Sequence, residues 1–89
     1  MDINEKAKMF SALSDPLRLR LIEILAEKNQ ACGKELSQLL GVSVALVSHH
    51  AKLLEDSGLI IRKKEGQFSR FSLNAEAFER IRETSPLHR

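Results

Sequence analysis

Short hydrogen-bonding and basic side chains recur at helical spacing between residues 43 and 52. Rotation by about 100° per residue brings them onto one face of a helix, opposite Val47. This face comprises Ala45, Ser48, His49 and Lys52, and Ser43, which is also expected to take part in base readout, precedes it as the candidate N-cap. Short side chains near the N-terminal end of a helix can reach base edges in the DNA major groove, and a lysine can pair with a phosphate. We therefore predict that this face binds DNA, the alternative being an ordinary solvated helix surface.

A second basic group lies between residues 62 and 70, around the dipeptide Glu65-Gly66. We predict that it contacts DNA phosphates, which adds affinity that depends on salt but not on base sequence. Its basic members are Arg62, Lys63, Lys64 and Arg70, and the neutral Gln67 among them is also expected to contact DNA. The alternative is an edge hairpin that uses lysine to prevent strand-to-strand aggregation.

The runs LIIRKKE and QFSRFSL, on either side of Glu65-Gly66, must position this second group. Their apolar residues follow a period of two and are mostly β-branched or aromatic, which predicts a β-hairpin over residues 59–73. The residues expected to face the core are Leu59, Ile61, Phe71 and Leu73. A basic hairpin that directly follows a DNA-reading helix is a wing.

The stretch GKELSQLLGVSVALVSHHAKLL, within residues 33–57, must position the first group. Its first half predicts a short helix with Leu36, Leu39 and Leu40 on one side. Gly41 is suited to a left-handed backbone at the end of that helix, and the Ser43 hydroxyl can cap the next one. Two helices joined by so tight a turn cross steeply, as in a helix-turn-helix. The second helix is predicted to bury Val44, Val47, Ala51 and Leu54.

The run LRLRLIEILAEK predicts a further helix before this pair. Asp15 is expected to cap it, with Pro16 at the first helical position, where a missing amide hydrogen costs nothing. Its predicted inward residues are Leu17, Leu21, Ile24 and Leu25. Arg18 and Arg20 alternate with the leucines and are expected to pair with carboxylates or solvent, the alternative being a phosphate contact.

Both ends of the chain are predicted to be helical, over residues 3–13 and 75–85, because apolar residues recur there at spacings of three and four. Asn74 is expected to cap the last helix and Pro86 to end it. The apolar residues in question include Ile3, Ala7, Phe10, Phe78 and Ile81.

Length and composition favour one domain over residues 1–89. A chain of 89 residues buries only about 60–65% of its unfolded surface, so a subunit interface would add stability. Its 43% hydrophobic and 29% charged residues are ordinary for a globular protein, and a net charge of +2 does not indicate nucleic acid by itself. No apolar run suits a membrane span and MDINEKAKMF does not resemble a signal peptide, so we expect a cytoplasmic location. The single Cys32 excludes a disulfide framework within one chain.

An enzyme is not expected. Ser48, His49 and His50 adjoin in sequence, but neighbouring helical positions point about 100° apart and cannot form a nucleophile-base chain. The sequence has no glycine-rich phosphate loop and little room for a substrate pocket. We predict no catalytic residue and no cofactor. The stronger alternative to DNA binding is a protein-interaction module. This alternative would be favoured if acidic residues interrupt the basic face, and the candidates are Glu55, Asp56 and Glu65.

Three segments together resemble the ArsR/SmtB family of winged-helix transcriptional repressors: FSALSDPLRLRLIEIL, LSQLLGVSVALVSHHAKLLEDSGLI and RKKEGQFSRFSL. The resemblance covers roughly residues 8–73 in one register. It implies an α+β, mostly α, winged helix-turn-helix fold with the order ααααββα. It also implies a homodimer that binds an inverted-repeat operator in double-stranded DNA and releases it when an inducer binds. The dimer interface expected from the first and last helices comprises Ile3, Ala7, Phe10, Phe78 and Ile81.

Two positions depart from the family pattern. Many members carry a glutamine and a proline where this chain has Val44 and Ala45. Valine offers only an apolar contact, so base readout is expected to depend on the serines and His49 of the same face. His50 is similar to a histidine that members commonly keep, and its direction, nearer the core, predicts a structural hydrogen bond.

The resemblance extends only partly to the inducer sites of the family. Metal-sensing members often have a Cys-x-Cys pair, of which Cys32 matches the first position, while Lys34 stands at the second and is not a soft-metal ligand. A second family site uses Asp, His and Glu from the final helices, but the last helix here offers only glutamates and His88 lies in the tail. We predict no metal site. Cys32 keeps three interpretations: a structural thiol, an oxidation-sensitive switch, or part of an intersubunit metal site.

Overall fold

The computed structural model describes residues 2–83, which form five α-helices and a three-stranded antiparallel sheet. The elements in chain order are α1 (Ile3–Ala12), α2 (Pro16–Lys28), β1 (Ala31–Cys32), α3 (Gly33–Leu40), α4 (Val44–Asp56), β2 (Ile60–Glu65), β3 (Phe68–Leu73) and α5 (Ala75–Arg82). The winged helix-turn-helix class is confirmed, and β1 is one element more than the predicted order ααααββα. Residues 84–85 of the predicted last helix, Pro86 and His88 lie outside the described residues.

None of the helices between residues 2 and 83 combines the length and the apolar character that a bilayer crossing requires.

Two helices begin at the residues that the sequence predicts. At the start of α2, the Asp15 carboxylate accepts a hydrogen bond from the Arg18 amide at 3.0 Å, and Pro16 occupies the first helical position. Asn74 occupies the cap position of α5, but its side chain makes no capping hydrogen bond. Nδ2 of its side chain instead donates to the Gly58 carbonyl at 2.9 Å. This bond ties the start of α5 to the chain segment that follows α4.

The turn between α3 and α4 has the predicted chemistry. Gly41 ends α3 in the left-handed region, with φ 70° and ψ 32°, and its amide donates to the Ser37 carbonyl at 2.9 Å. The Ser43 hydroxyl then accepts from the Leu46 amide at 3.0 Å, which satisfies one of the free donors at the start of α4. The turn therefore ends one helix and begins the next within three residues.

The core is formed by one side of each helix and by the inner face of the sheet. Its large side chains with almost no exposed surface are Leu21, Leu25, Leu36, Val47, Leu54 and Leu59. The prediction for α2 is confirmed, since Leu17 and Ile24 also pack partly buried against this cluster. In α4 the prediction is confirmed for Val47, Ala51 and Leu54.

Two apolar residues of the helix pair are exposed: Val44, predicted to be buried, and Leu39, predicted to share one side of its helix with Leu36 and Leu40. Val44 is 49% exposed, because it is the first residue of α4 and its side chain lies beside Gly33 at the edge of the fold. Leu39 is 48% exposed, because the eight-residue α3 buries a narrow stripe of residues four apart, Leu36 and Leu40. Both predictions were wrong.

The sheet has the order β1-β3-β2, so β3 is its centre. Ile60 pairs with Leu73 and is buried, whereas Ile61, predicted to face the core, is 50% exposed. The prediction for Ile61 was wrong because Leu59 is buried before β2 begins, which shifts the strand alternation by one residue.

The strand β1 pairs Ala31 with Phe71 and Cys32 with Arg70. It joins the start of α3 to the wing by backbone pairing. A strand of two residues carries no periodic signal, so the sequence did not predict it.

Replacing Gly41 with alanine is expected to lower the free energy of unfolding by about 1–2 kcal/mol, because a Cβ strains the left-handed backbone. No heavy atom of the described residues lies within 4 Å of a Cβ built there, so the expected loss is backbone strain without a clash. Urea unfolding followed by circular dichroism measures it. Gly33→Ala is the control, because its Cβ would meet only Val44 Cγ1 at 3.9 Å among those residues. Equal losses in the two variants would contradict this account.

Candidate nucleic-acid interface

One long face of α4 is open to solvent, as the sequence predicts. Its exposed residues, together with the cap, are Ser43, Ala45, Ser48, His49 and Lys52, which we call the α4 outer face. Burial of Val47, Ala51 and Leu54 on the opposite side determines the rotation of the helix about its axis. The core packing therefore presents short polar side chains at the N-terminal half of the helix.

His50, the neighbour of His49, points toward the body of the protein. Its side chain is only 13% exposed, and its Nδ1 lies 3.1 Å from Nη1 of Arg18. Arg18 also donates from Nε to the Ala12 carbonyl at 2.6 Å. The predicted structural hydrogen bond of His50 is present. The prediction that Arg18 pairs with a carboxylate or solvent was wrong, because a backbone carbonyl and an imidazole are its side-chain partners; Arg20 is exposed.

The wing, residues 59–73, divides its basic side chains between two faces. Arg62 lies opposite Phe71 on the inner face, with its guanidinium carbon 5.6 Å from the ring centroid. The same guanidinium reaches Glu55 of α4 at 3.5 Å. Within residues 2–83 its Nε is buried and has no hydrogen-bond partner. In the free protein Arg62 thus supports the wing against α4.

On the outer face of the wing, Lys63 lies directly opposite Arg70. Two like charges at paired positions repel each other, so this pair is unfavourable unless an anion is near. Glu65 supplies one carboxylate, which Arg70 approaches at 2.8 Å. The Lys63 side of the pair is left available for a second anion.

Acidic residues do interrupt the basic surface. Lys52 pairs with Asp56 at 3.1 Å, in addition to the Glu55 and Glu65 pairs already described. Three of the five cations expected to bind phosphate therefore have a carboxylate partner, whereas for Lys63 and Lys64 no such partner lies within 4.0 Å among the described residues. Exposed ion pairs contribute little to stability, so phosphates can replace the carboxylates of the exposed pairs.

A groove of about 300 Å³ separates the α4 outer face from the wing. Val44 and Ser48 line its α4 side, and Gln67 and Phe68 its wing side. Phe68 is 63% exposed, a large apolar side chain that the sequence analysis missed. The strand period could have predicted this exposure, because Phe68 and Phe71 are three residues apart in one strand and must point to opposite faces of the sheet.

Cys32 lies at the edge of the same groove, in the cap position of α3 and partly exposed. Its side chain makes no capping hydrogen bond. Within residues 2–83, no group of three or more histidine, cysteine, aspartate or glutamate side chains is placed to hold a metal ion. The glutamates of α5 have basic neighbours instead: the hydrogen bond from Arg82 at 2.8 Å lowers the pKa of Glu79.

The residues expected at the dimer interface fall into two groups. On α1, Ile3 is 75% and Phe10 52% exposed, and Ala7 is exposed between them. On α5, Phe78 and Ile81 pack partly buried against the core of their own subunit. An apolar stripe on α1 is therefore the main uncovered part of the predicted interface.

A family model described as "Bacterial regulatory protein, arsR family" matches residues 15–62. The chain is 33% identical over 82 residues to a cadmium resistance transcriptional regulatory protein CadC homolog from Staphylococcus aureus, with 92% of this chain and 68% of that protein covered. It is also 33% identical over 67 residues to an arsenical resistance operon repressor from Bacillus subtilis (strain 168), with 75% and 64% covered. The chain thus spans about two thirds of the length of these relatives.

The fold is similar to the solution structure of the homodimeric winged helix-turn-helix DNA-binding domain (fragment 1–100) of Mb0332 from Mycobacterium bovis. The TM-score is 0.80 at 20% sequence identity, with 89% of this chain and 72% of that chain covered. At this identity the similarity concerns the fold alone.

Replacing Arg62 with alanine is expected to speed amide hydrogen exchange in the wing about fivefold, because it removes the ring contact and the Glu55 ion pair. Exchange followed by NMR measures this rate for each residue of β2 and β3. Lys63→Ala is the control, since Lys63 lies in the same strand without a carboxylate partner among residues 2–83. A similar acceleration in both variants would contradict the supporting role of Arg62.

Proposed function

Because the chain belongs to the arsR family of bacterial regulatory proteins, we propose that it is a homodimeric transcriptional repressor that binds an inverted-repeat operator in double-stranded DNA. The observation that carries this proposal is the α4 outer face, a polar helix surface with a basic wing beside it. A helix of this kind fits the major groove, with its N-terminal side chains at the base edges. Because an operator is part of bacterial DNA, the proposal includes a cytoplasmic location for the repressor.

We assign base contacts to the first half of the α4 outer face. Ser48 and His49 are exposed one turn beyond the capped N-terminus, where hydrogen bonds to base edges are within reach. Ala45 and the exposed Val44 offer apolar contact to a thymine methyl group. Phosphate contacts fall to Lys52 and to the wing residues Lys63, Lys64, Gln67 and Arg70. Arg62 contributes indirectly, by holding the wing beside α4.

The apolar stripe of α1 supports a two-fold dimer in which the terminal helices of two copies pack together. Ile3 and Phe10 are too large and too exposed to be explained by the fold of one subunit. Phe78 and Ile81 would extend the interface from α5. Such a dimer places its two copies of α4 about 34–36 Å apart, in successive major grooves.

Release from the operator would require an inducer that changes the relative placement of the two copies of α4 in the dimer. The S. aureus and B. subtilis relatives carry the names of cadmium and arsenical resistance. In this chain, Cys32 is the candidate sensor, by oxidation, because it is partly exposed beside the groove between α4 and the wing. Peroxide treatment of wild type and Cys32→Ser tests this assignment in the DNA titration below.

Titration against the upstream DNA of its own gene and against a scrambled duplex, at two salt concentrations, tests the repressor function. The Lys63→Ala, Lys64→Ala double variant is expected to weaken binding to both duplexes and to reduce the salt slope by roughly 2, about 0.9 per lost phosphate contact. His49→Ala is expected to lose about 1–3 kcal/mol of preference for the operator, mainly through base recognition.

The Arg80→Ala, Arg82→Ala double variant is the control, because it removes the same charge from α5. Equal weak binding of wild type to both duplexes at every salt concentration would instead favour a protein-interaction module. The acidic residues Glu55, Asp56 and Glu65, which interrupt the basic surface, are consistent with that alternative.

Replacing Phe10 with glutamate is expected to convert the dimer to monomers at micromolar concentration, because it places a charge in the apolar stripe of α1. Sedimentation equilibrium measures the oligomeric state. Leu19→Glu is the matched control, since Leu19 is an exposed leucine on α2, with 46% of its surface accessible. If Leu19→Glu dissociates the dimer and Phe10→Glu does not, the interface lies elsewhere.

A further inference from the structure

The side chain of Arg18 forms hydrogen bonds both to the helix assigned to the dimer interface and to the helix assigned to DNA. Its Nε donates to the carbonyl of Ala12, the last residue of α1, at 2.6 Å. Its Nη1 lies 3.1 Å from Nδ1 of His50, in the middle of α4. The Arg18 amide is also held, by the Asp15 carboxylate at the start of α2. The guanidinium therefore bridges α1 and α4 from an anchored position.

The bond between Arg18 and His50 determines the protonation state of the imidazole. A guanidinium can only donate hydrogen bonds, so Nδ1 of His50 must accept, and the ring must be neutral with its proton on Nε2. A protonated ring would place a donor and a positive charge against Arg18. The bond to Arg18 therefore exists only while His50 is neutral.

An alternative partner for a protonated His50 is already in place. Oδ2 of Asp15 lies 4.0 Å from the same Nδ1. The hydrogen bond from the Arg18 amide, followed by the nearby positive charge of Arg18, holds the pKa of Asp15 below its usual value. A further titratable group, the His49 ring, lies beside the His50 ring, with the two ring centroids 5.3 Å apart in an edge-on arrangement. Protonation would thus exchange Arg18 for Asp15 as the partner of His50.

We propose that Arg18 and His50 are positioning residues for operator recognition: neutral His50 fixes α4 relative to α1, and its protonation releases α4 and lowers selectivity. This inference rests on the proposed function. In a two-fold dimer, the relative placement of α1 and α4 determines whether both copies of α4 enter successive major grooves. The Arg18 bridge is a direct path between the two helices within one subunit.

The DNA-independent test is an NMR titration of the full-length protein from about pH 8 to about pH 5, the range in which imidazoles change charge. Long-range ¹⁵N spectra are expected to show His50 as the Nε2–H tautomer at the high-pH end. The Arg18 Nε–H signal should shift together with the His50 ring as the pH falls. An Nδ1–H tautomer, or an Arg18 signal that does not follow His50, would overturn the proposal.

The second test measures selectivity, as the ratio of affinities for a duplex selected by wild type from a random library and for a scrambled duplex. At constant ionic strength, wild-type selectivity is expected to fall about fivefold to tenfold between about pH 8 and about pH 5.5. His50→Gln should keep the high-pH selectivity and lose the pH dependence, because a glutamine oxygen accepts from Arg18 without titrating. His49→Gln is the matched histidine variant: it starts from a lower selectivity, because His49 is assigned a base contact, but should show the same proportional fall between the two pH values.

Arg18→Ala and His50→Ala should each lose selectivity by a similar factor, and the double variant should lose no more than either, as expected for two partners in one interaction. Thermal unfolding at each pH separates this effect from loss of fold. A wild-type pH dependence retained in His50→Gln, or additive losses in the double variant, would overturn the proposal. If the library yields no preferred duplex, the proposed function fails, while the NMR titration still decides whether His50 exchanges Arg18 for Asp15.

Discussion

The left-handed backbone at Gly41 is the constraint on which the arrangement of the candidate interface depends. It ends α3 and allows Ser43 to start α4 within three residues, so that α4 takes a new direction. Burial of Val47 and Leu54 then determines the rotation of α4 and leaves its polar face open. The wing follows the end of α4 and lies beside that face. One backbone conformation thus orients both candidate DNA-binding elements.

The helix-turn-helix could be predicted from the sequence because its signals are local. Gly41 and Ser43 act within one turn of their own positions, and the helical period marks the buried side of α4 over three turns. Predictions failed where contacts between distant segments decide the structure. The strand β1 exists only through its pairing with β3, and the outward direction of Ile61 follows from where β2 begins. Val44 is exposed because α4 begins at the edge of the core.

The candidate interface could be predicted as a set of residue types but not as a set of free charges. Strand parity turns Arg62 inward, toward Phe71 and Glu55, while its neighbour Lys63 faces outward. Strand alternation places the two side chains on opposite faces, but it does not indicate that Arg62 meets the Glu55 carboxylate of α4. Arg18 is a further case, because its link to His50 spans 32 positions of the chain. Which charged side chains have partners, and which partners they have, therefore could be learned only from the structure.

The middle and the tip of the wing differ in how firmly they are attached, and this has an evolutionary consequence. Midway along β3, Arg70 pairs with Cys32 of β1, so added residues in the short connection before α3 would separate the wing from the helix pair. At its tip, Gly66 has φ 63° and no described heavy atom within 4 Å of a Cβ built there. Insertions are tolerated best at exposed loop tips. Descendants of this chain can thus lengthen the wing and extend its reach along a duplex without rebuilding the domain.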